Sequence, residues 1–364
     1  MKSYYILHLI ITISLYHTIA QPVKYSNEFL QIGVGARALS LGGASIGSVR
    51  DITSVYWNPA ALTSIGSPIQ IGAMHSEYFA GIAKFDFIGL GFRANDATSL
   101  GFSFIRLGVD DIPNTLDLID ENGNVNYDRI TSFSANDFAF FTSFARKTKI
   151  DGLSIGTNAK IIHRKIGPFA KAWGFGIDAG AKYTKNNWIT GVMIRDITTT
   201  FNAWKFNTET FEDVFIITGN DIPENSIETT MPRILASGAR NFELLKHFHL
   251  QPEIALEITT DGKRNTLIST KLASIDPRIG LEIDFKKIIY LRAGANNYQK
   301  IPDFDNKVRK TIQPNIGLGL QIKHLSIDYA FTNVSFNSDN NTLYSHIFSL
   351  SYSIQKKEKV EQIK

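Results

Sequence analysis

Residues 32–65 read IGVGARALSLGGASIGSVRDITSVYWNPAALTSI, and this stretch decides the fold that we predict for the chain. It is rich in glycine and alanine, and it closes on Trp57-Asn58-Pro59-Ala60. Nothing else in the 364 residues looks like it, and the sequence that follows reads as strand after strand. Small residues permit turns with positive φ and close backbone contacts. We therefore expect residues 21–68 to form one compact element ahead of a β architecture.

A loose nucleotide-binding fingerprint lies in the same stretch, as GVGARA at 33–38 with Asp51 downstream. Such a fingerprint works only between a strand and a helix of a βαβ unit, where the helix N-terminus meets the phosphates. The sequence shows no long helical periods after this point. We therefore interpret the glycines as sites of close packing and expect no cofactor.

The composition is that of a folded protein, with 43% hydrophobic and 20% charged residues. The formal net charge of +4 is small and dispersed, so nucleic-acid binding is not expected. The chain contains no cysteine. This excludes a disulfide scaffold, a thiol nucleophile and a lipid anchor on an N-terminal cysteine.

Residues 1–20 have the features of a cleaved secretory signal peptide. Lys2 provides the positive start, the following residues are mostly apolar, and the small residues at 18–20 permit cleavage before Gln21. A single membrane anchor is the alternative interpretation, but the stretch is short and two histidines interrupt it. We expect an exported protein.

From residue 69 onward, apolar and polar residues alternate with a period of two. Between Trp173 and Tyr183 the odd-numbered positions are apolar and the even-numbered ones are small or polar. Such alternation indicates a sheet with one apolar and one polar face, and a soluble β-sandwich would show it too. Segments of about 10 residues, joined by connections that alternate between short and long, favour transmembrane strands.

We predict fourteen strands within residues 69–354 and a charged tail at 355–364. Tight turns follow the even-numbered strands, and longer loops follow most odd-numbered ones. The start of the first strand and the end of the last strand would then both lie in the periplasm, with the long loops outside. The strands are expected at 69–77, 85–93, 98–107, 136–147, 152–165, 172–185, 187–196, 232–242, 248–259, 277–286, 287–296, 314–323, 324–334 and 344–354, and the longer loops at 108–135, 197–231, 260–276, 297–313 and 335–343.

Several segments resemble known outer-membrane proteins. FLQIGVGARALSLGGA followed by YWNPAAL is similar to the PorV/PorQ family, and MPRILASGAR, PRIGLEIDFKKIIYLRAGANN and GLGLQIKHLSIDYAF resemble barrel strands of that family. A plug segment ending in Asn-Pro-Ala ahead of many strands also resembles the wider FadL-like barrels. Both resemblances imply an all-β fold, a 14-stranded antiparallel transmembrane β-barrel in the bacterial outer membrane, with residues 21–68 as a plug in its lumen.

The resemblances imply two competing functions, neither of them enzymatic. The PorV/PorQ likeness implies a component or accessory of the type IX secretion system that binds a translocon subunit or secreted cargo. The FadL likeness implies the alternative, a transporter of hydrophobic small molecules with its ligand in the lumen. A continuous apolar pocket would favour transport, and an exposed interaction patch would favour a protein partner. A soluble β-sandwich adhesin is a third and more distant interpretation.

The candidate functional residues belong to the expected plug, or hatch. Arg37 and Asp51 would brace it by pairing with each other or with lumen residues such as Asp178 and Glu282, because buried charges need partners. Pro59 should hold Asn58 in an extended conformation at the join between plug and first strand. A gating role and a purely structural role both remain open. The full set is Gly35, Arg37, Gly42, Gly43, Asp51, Trp57, Asn58, Pro59 and Ala60.

Other patterns give weak chemical signals. Long loops are acidic and short turns are rich in lysine, which fits either solvated loops or a selective outer surface with a basic inner rim. DENGNVNYD at 120–128 lacks key positions of a calcium loop. The histidines are scattered, and no G-x-S-x-G elbow occurs. We expect no catalytic residue and no metal site, and we name outer-membrane lipid as a partner in addition to the protein or hydrophobic ligand.

Overall fold

Strands form in this chain where polar and apolar residues alternate. The computed structural model describes residues 26–79, 81–119, 123–302, 308–333 and 344–355. The expected signal peptide, and the expected tail beyond residue 355, lie outside them. The strands within the described residues are β1 (Ile69–Tyr78), β2 (Ala83–Arg93), β3 (Thr98–Asn114), β4 (Thr131–Lys147), β5 (Leu153–Ile166), β6 (Ala170–Lys185), β7 (Trp188–Arg195), β8 (Thr200–Phe206), β9 (Ser226–Thr230), β10 (Arg233–Arg240), β11 (Phe242–Leu245), β12 (Phe248–Thr259), β13 (Ile268–Ser269), β14 (Ser274–Phe285), β15 (Ile289–Pro302), β16 (Val308–Ile322), β17 (Leu325–Asn333) and β18 (Tyr344–Ile354).

The strands form one closed antiparallel sheet, because β1 pairs with both β2 and β18. β7 and β8 share one position in the ring: both pair with β6, and the left-handed residues Asp196 (φ 57°) and Thr199 (φ 58°) separate them. β9, β10 and β11 likewise follow one another along a single position, and the two-residue β13 lies beside the end of β14. The described strands therefore build the predicted fourteen-stranded barrel.

The predicted strand bounds were wrong in the long loops. Residues 197–231 were expected to be loop, but they contain β8, β9 and the helix α3 (Glu212–Thr218). β3 runs to Asn114 and β15 runs to Pro302, both well beyond their predicted ends. These extensions continue the pairing with neighbouring strands beyond the predicted ends, where polar and apolar residues no longer alternate strictly.

The two ends of the barrel differ in their connections. At one end, here called the turn end, the links are the short turns 94–97, 148–152, 186–187, 246–247, 286–288 and 323–324. The opposite end, here called the loop end, carries the longer links 115–130, 207–225 and 260–273 and the short links 79–82 and 167–169. This arrangement agrees with the predicted alternation of connection lengths.

The outward face of the wall is apolar. On β6, Trp173, Phe175 and Tyr183 are exposed, whereas Asp178 and Lys182 on the alternate positions are buried inside the ring. Trp173 and Tyr183 are ten residues apart, which is about 33 Å along a strand and about 24 Å across a membrane for a strand tilted about 45°. An apolar band of this height with aromatic residues at both edges is the surface of a transmembrane barrel.

Residues 26–66, here called the N-terminal segment, contain only short helices. They are α1 (Ala36–Ser40), α2 (Ser54–Trp57) and the 3-10 turns Glu28–Gln31 and Pro59–Ser64. In the part of the chain that the structure describes, no helix has the length and apolarity needed to cross a membrane.

The N-terminal segment lies inside the ring, because it bonds to strands on widely separated sides. The Ala36 amide donates to Ser349 on β18 (2.8 Å), and the Gly47 amide donates to Ser237 on β10 (2.8 Å). Asn58 donates to a carbonyl of β6. Most of the segment is buried, and its apolar side chains form the main core together with inward residues of the wall.

Candidate functional site

Asn58 joins three elements through one buried side chain. Its Nδ2 donates to the carbonyls of Ile46 (3.1 Å) and Ala181 (3.0 Å), and its Oδ1 accepts from the Ala60 amide (3.1 Å). Its backbone is extended (φ −164°, ψ 104°), as expected for a residue before proline, and Pro59 opens the 3-10 turn that follows. The motif thus fixes the segment to β6.

Glycines on the wall bring the Asn-Pro-Ala motif into close contact with it. A Cβ added to Gly180 on β6 would lie 2.3 Å from Asn58 Oδ1, and one added to Gly156 on β5 would lie 2.5 Å from the Ala60 amide nitrogen. Both distances are too short for any larger residue. The wall is therefore shaped to the motif at these two positions.

Trp57 is buried beside the glycines of the segment. Its Nε1 donates to the Val34 carbonyl (2.7 Å), and its ring lies against Gly33 and Gly43, both of which have positive φ (92° and 75°). The guanidinium of Arg195 lies 5.6 Å from the centre of the ring. Positive φ at these glycines permits the tight turns that the ring covers.

Arg37 is bound by Glu282 on β14. Arg37 Nε lies 2.8 Å from the carboxylate, which Arg292 Nε (2.6 Å) and Arg50 Nη2 (3.1 Å) also contact, and Arg292 continues to Asp328 (2.6 Å). Burial by itself lowers the pKa of Arg37, but the Glu282 carboxylate raises it above its ordinary value. Arg37 therefore stays charged and ties the segment to the wall.

Asp51 forms its hydrogen bonds within the N-terminal segment. Its Oδ1 accepts from the Thr53 amide (2.8 Å) and from the Thr53 hydroxyl, which stabilises the turn just before α2. No direct bond joins it to Arg37 among the described residues. Asp178, the other suggested acceptor for Arg37, instead binds Lys160 on β5 (2.7 Å).

Gly35 and Gly42 occupy positions that only glycine fits comfortably. Gly35 has φ 86° and precedes α1, and a Cβ there would meet Thr53 at 2.8 Å. Gly42 has φ 65° and ends the same helical stretch against Ala295 of β15, whose backbone would lie 3.0 Å from an added Cβ. Both glycines therefore shape the segment to its surroundings.

A cavity of about 780 Å³ lies above the N-terminal segment, toward the loop end. Trp57, Leu39 and Gly43 belong to its floor. One side of its wall is mainly apolar and the other is polar. The apolar side includes Tyr78, Phe79, Ile82, Leu107 and Val109, and the polar side includes Glu257, Asp276, Arg278, Asn296, Gln299, Gln313 and Asn315.

The polar side of the cavity was not predicted. Three of its buried atoms, Gln31 Nε2, Asp276 Oδ1 and Arg278 Nε, have no hydrogen-bond partner among the described residues. The available sequence signal was a set of amides at inward strand positions, such as Asn296 and Gln313. Asn296 and Gln313 become neighbours only through the pairing of β15 with β16, so their grouping depends on the strand register.

The wall beside this cavity has a break in its hydrogen bonding. β14 and β15 pair from Phe285 and Ile289 up to Ile279 and Ala295, and the pairing ends there. The rest of β14 instead pairs with β13, through Ile275 and other residues, while β15 continues alone with β16. Here we call this break the β14–β15 gap.

Two residues explain the gap. Pro277 in β14 has no N–H to donate to either neighbour, and Asn297 in β15 has left-handed backbone (φ 53°) where its pairing with β16 skips a position. The link 260–273 crosses the gap, since the Lys300 amide donates to the Asn265 carbonyl (3.3 Å) and Lys300 Nζ donates to the Leu267 carbonyl (3.1 Å).

The described residues contain no group of three or more histidines and carboxylates arranged to hold a metal ion. His249 contacts a single carboxylate, Asp284 (3.0 Å), near the turn end of the wall. The weak calcium-loop pattern at 120–128 falls partly outside the described residues.

Comparison with known proteins shows solved structures with a similar fold but no relative that is similar in sequence. No protein-family model matches the chain, and no curated protein matches it. The fold is similar to that of the CymD monoaromatic hydrocarbon channel, with a TM-score of 0.56 and 12% identity over 89% of this chain and 98% of that one. It is also similar to the toluene transporter TodX of Pseudomonas putida (TM-score 0.55, 13% identity, 92% and 100% covered) and to a FadL homologue of Pseudomonas aeruginosa (0.51, 13%, 88% and 98%).

Proposed function

We propose that this protein is an outer-membrane channel that takes up hydrophobic small molecules through the cavity above the N-terminal segment. The observation that carries the proposal is the cavity itself. Its volume of about 780 Å³ lies within the range of small-molecule sites, about 300–1,000 Å³. It is open toward the loop end, and aromatic and aliphatic side chains line one side of it.

The two-sided lining favours a molecule with a polar end. The apolar side, near Tyr78 and Leu107, would bury the hydrocarbon part. The polar side, which includes Asn296, Gln299 and Gln313, would face a hydroxyl or a carbonyl of the ligand. The similar structures called hydrocarbon channels and toluene transporters agree with a ligand of this size.

The N-terminal segment would act as the plug below the ligand. Two cavities beside it hold only about 20 Å³ each, enough for about one water molecule. A ligand could pass only if the segment moved or if it left sideways. The β14–β15 gap offers the sideways route, since it borders the cavity through Asp276, Asn296 and Asn297.

The direction of transport follows from the expected orientation. Long loops outside and short turns in the periplasm would place the cavity mouth on the cell exterior, with export directed by the predicted signal peptide. The type IX secretion role stays a prediction from sequence resemblance, because neither the comparisons nor a surface of the described residues gives it independent support.

The proposal is tested by filling the cavity. Ala83 is buried and lines it, so Ala83→Trp should obstruct the ligand. The control is Ala159→Trp, which places the same side chain on the exposed outer face of β5. Each variant would be placed in liposomes whose outer leaflet is lipopolysaccharide, because toluene crosses a plain phospholipid bilayer unaided. Uptake would be measured for radiolabelled toluene and for arabinose, a polar solute of comparable size.

We expect the wild type to admit toluene faster than protein-free liposomes. Ala83→Trp should slow this uptake about tenfold, a difference of about 1.4 kcal/mol in barrier height. Ala159→Trp should behave as the wild type. Equal uptake by both tryptophan variants, or a wild type that passes arabinose as readily as toluene, would contradict the proposal.

A further inference from the structure

Three lysines stand side by side on the outer face of the wall near the loop end. Lys165 on β5 is directly opposite Lys171 on β6, and Lys171 is directly opposite Lys205 on β8. All three side chains are exposed. Neighbouring strands are about 4.8 Å apart, so the row places three positive charges within about 10 Å. Here we call it the lysine row.

Nothing in the described part of the chain neutralises the lysine row. None of the three ammonium groups is within ion-pair distance of a described carboxylate. Two acidic side chains on the flanking strands, Asp137 on β4 and Glu228 on β9, instead contact Arg164 at 2.7 and 3.7 Å. Like charges directly opposite on paired strands are destabilising. The arrangement therefore lacks an anionic partner.

Below the row, the outer face changes from charged to aromatic to apolar. One step toward the middle of the barrel, His163 and Trp173 stack with ring centres 4.2 Å apart. The next step presents Ile161 and Phe175, both exposed. Trp173 marks the edge of the apolar band, where aromatic residues meet the lipid headgroups. The lysines thus lie at headgroup height.

A concavity of about 490 Å³ adjoins the row. All three lysines line it, together with Pro168, Phe206 and Asn207. It lies over the tight link between β5 and β6, where Gly167 has left-handed backbone (φ 48°). Its size suits a sugar-phosphate headgroup better than a single inorganic ion.

We propose that the lysine row binds a phosphorylated glycolipid of the leaflet at the loop end, with two phosphates on the ammonium groups and the acyl chains on Trp173 and Phe175. The three ammonium groups are spread widely enough to contact more than one phosphate. The aromatic and apolar side chains beneath them would contact the acyl chains of the same lipid. This site depends on the outer-membrane location but not on transport through the lumen.

The test uses the full-length protein purified in a non-ionic detergent. Native mass spectrometry would count bound molecules of diphosphorylated lipid A, with phosphatidylethanolamine as the lipid of zero net charge and inorganic phosphate as the free anion. The variant is Lys165→Gln/Lys171→Gln/Lys205→Gln. The matched control, Lys149→Gln/Lys185→Gln/Lys286→Gln, removes three exposed lysines from the turn end.

We expect one lipid A on the wild type and on the control, and roughly hundredfold weaker binding to the lysine-row variant. Replacing the same three lysines by arginine should restore binding. Equal lipid A binding by the two glutamine variants, or full competition by inorganic phosphate, would overturn the proposal. Toluene uptake by the lysine-row variant should match the wild type, which shows that it folds and separates this site from the cavity.

Discussion

Asn58 is the residue on which the interior depends most clearly. Its side chain satisfies two carbonyls and one amide that are buried with it. Removing a partner from such groups costs the desolvation of each group left unpaired. The same side-chain cap occurs at Asn126, whose Oδ1 accepts from the Asp128 amide (3.0 Å), but that residue is exposed in a loop.

Asn58→Ala should therefore destabilise the N-terminal segment by about 1–3 kcal/mol, while the barrel still inserts. The measurement is the rate at which a protease cuts the segment in the folded protein. Asn126→Ala is the control and should leave that rate unchanged, because water replaces its bond. Unchanged resistance in Asn58→Ala would count against a movable plug.

Arg37 and Arg50 bind the same carboxylate from different depths. The side chain of Arg37 is 7% exposed and that of Arg50 is 44% exposed, yet both contact Glu282. Arg37→Met should lower the free energy of unfolding by about 3 kcal/mol, because it removes a buried partner. Arg50→Met should lower it by less than about 1 kcal/mol. Urea unfolding of the two variants in detergent would compare them, and similar losses would contradict the role given to burial.

For the site residues, the sequence predicts those features that depend on neighbouring residues or on a general need for a charged partner. The extended conformation of Asn58 follows from the proline beside it. Arg37 was expected to pair with a carboxylate because a buried charge needs a partner, and it pairs with Glu282. The partner of Asp51 is Thr53, two residues away in a local turn, and not a residue of the lumen wall as predicted. The polar side of the cavity needs the register of several strands, which one sequence does not fix.

At the scale of elements, the segment and the wall meet backbone to backbone. Gly280, Gly294 and Gly317 on the neighbouring strands β14, β15 and β16 face Ser40, Leu41 and Gly42. A Cβ on Gly294 would lie 2.2 Å from the Leu41 carbonyl carbon. Rigid backbone on both sides leaves no side chain to move aside.

Gly294→Ala should therefore displace the segment and destabilise the protein by about 1–3 kcal/mol. Gly238→Ala is the matched control, since nothing lies within 4 Å of a Cβ at that position on β10. Thermal unfolding followed by the heat-dependent shift in gel mobility would measure both. A control as unstable as Gly294→Ala would show that strand glycine itself, and not the contact, is responsible.

The strands were predictable where one face meets lipid and the other meets the lumen, because apolar and polar residues alternate there. β5 and β6 were expected at 152–165 and 172–185 and are observed at Leu153–Ile166 and Ala170–Lys185. The prediction failed for β8 and β9, which follow the interruption at Asp196 and Thr199. Positive φ at non-glycine residues carries little sequence signal, so the continuation of the strand beyond it was missed.

At the scale of the molecule, the β14–β15 gap borders the cavity through Asp276, Asn296 and Asn297 and is the sideways route that we propose for the ligand. Because the chain has no cysteine, two can be introduced without interference. Pro277→Cys with Asn297→Cys would place one on each side of the gap, and a bismaleimide would tether them. Leu281→Cys with Ala293→Cys is the control, since these residues already pair in the intact ladder.

If ligand leaves through the gap, tethering across it should slow toluene uptake about tenfold, a change of about 1.4 kcal/mol. The tethered control should retain the wild-type rate. Full uptake after complete tethering across the gap would instead direct attention to movement of the N-terminal segment. Mass spectrometry of the reacted proteins verifies the extent of tethering.

The position of the N-terminal segment inside the ring also has a consequence for biogenesis. The bond from Ala36 to Ser349 joins residues 313 positions apart, so the N-terminal segment can complete its contacts only after β18 has formed. β1 closes the wall by pairing with β18, and the segment is also bound to β6, β10 and β14 inside that wall. We therefore expect the segment to occupy the interior before β1 pairs with β18, so that the strands of the barrel close around it.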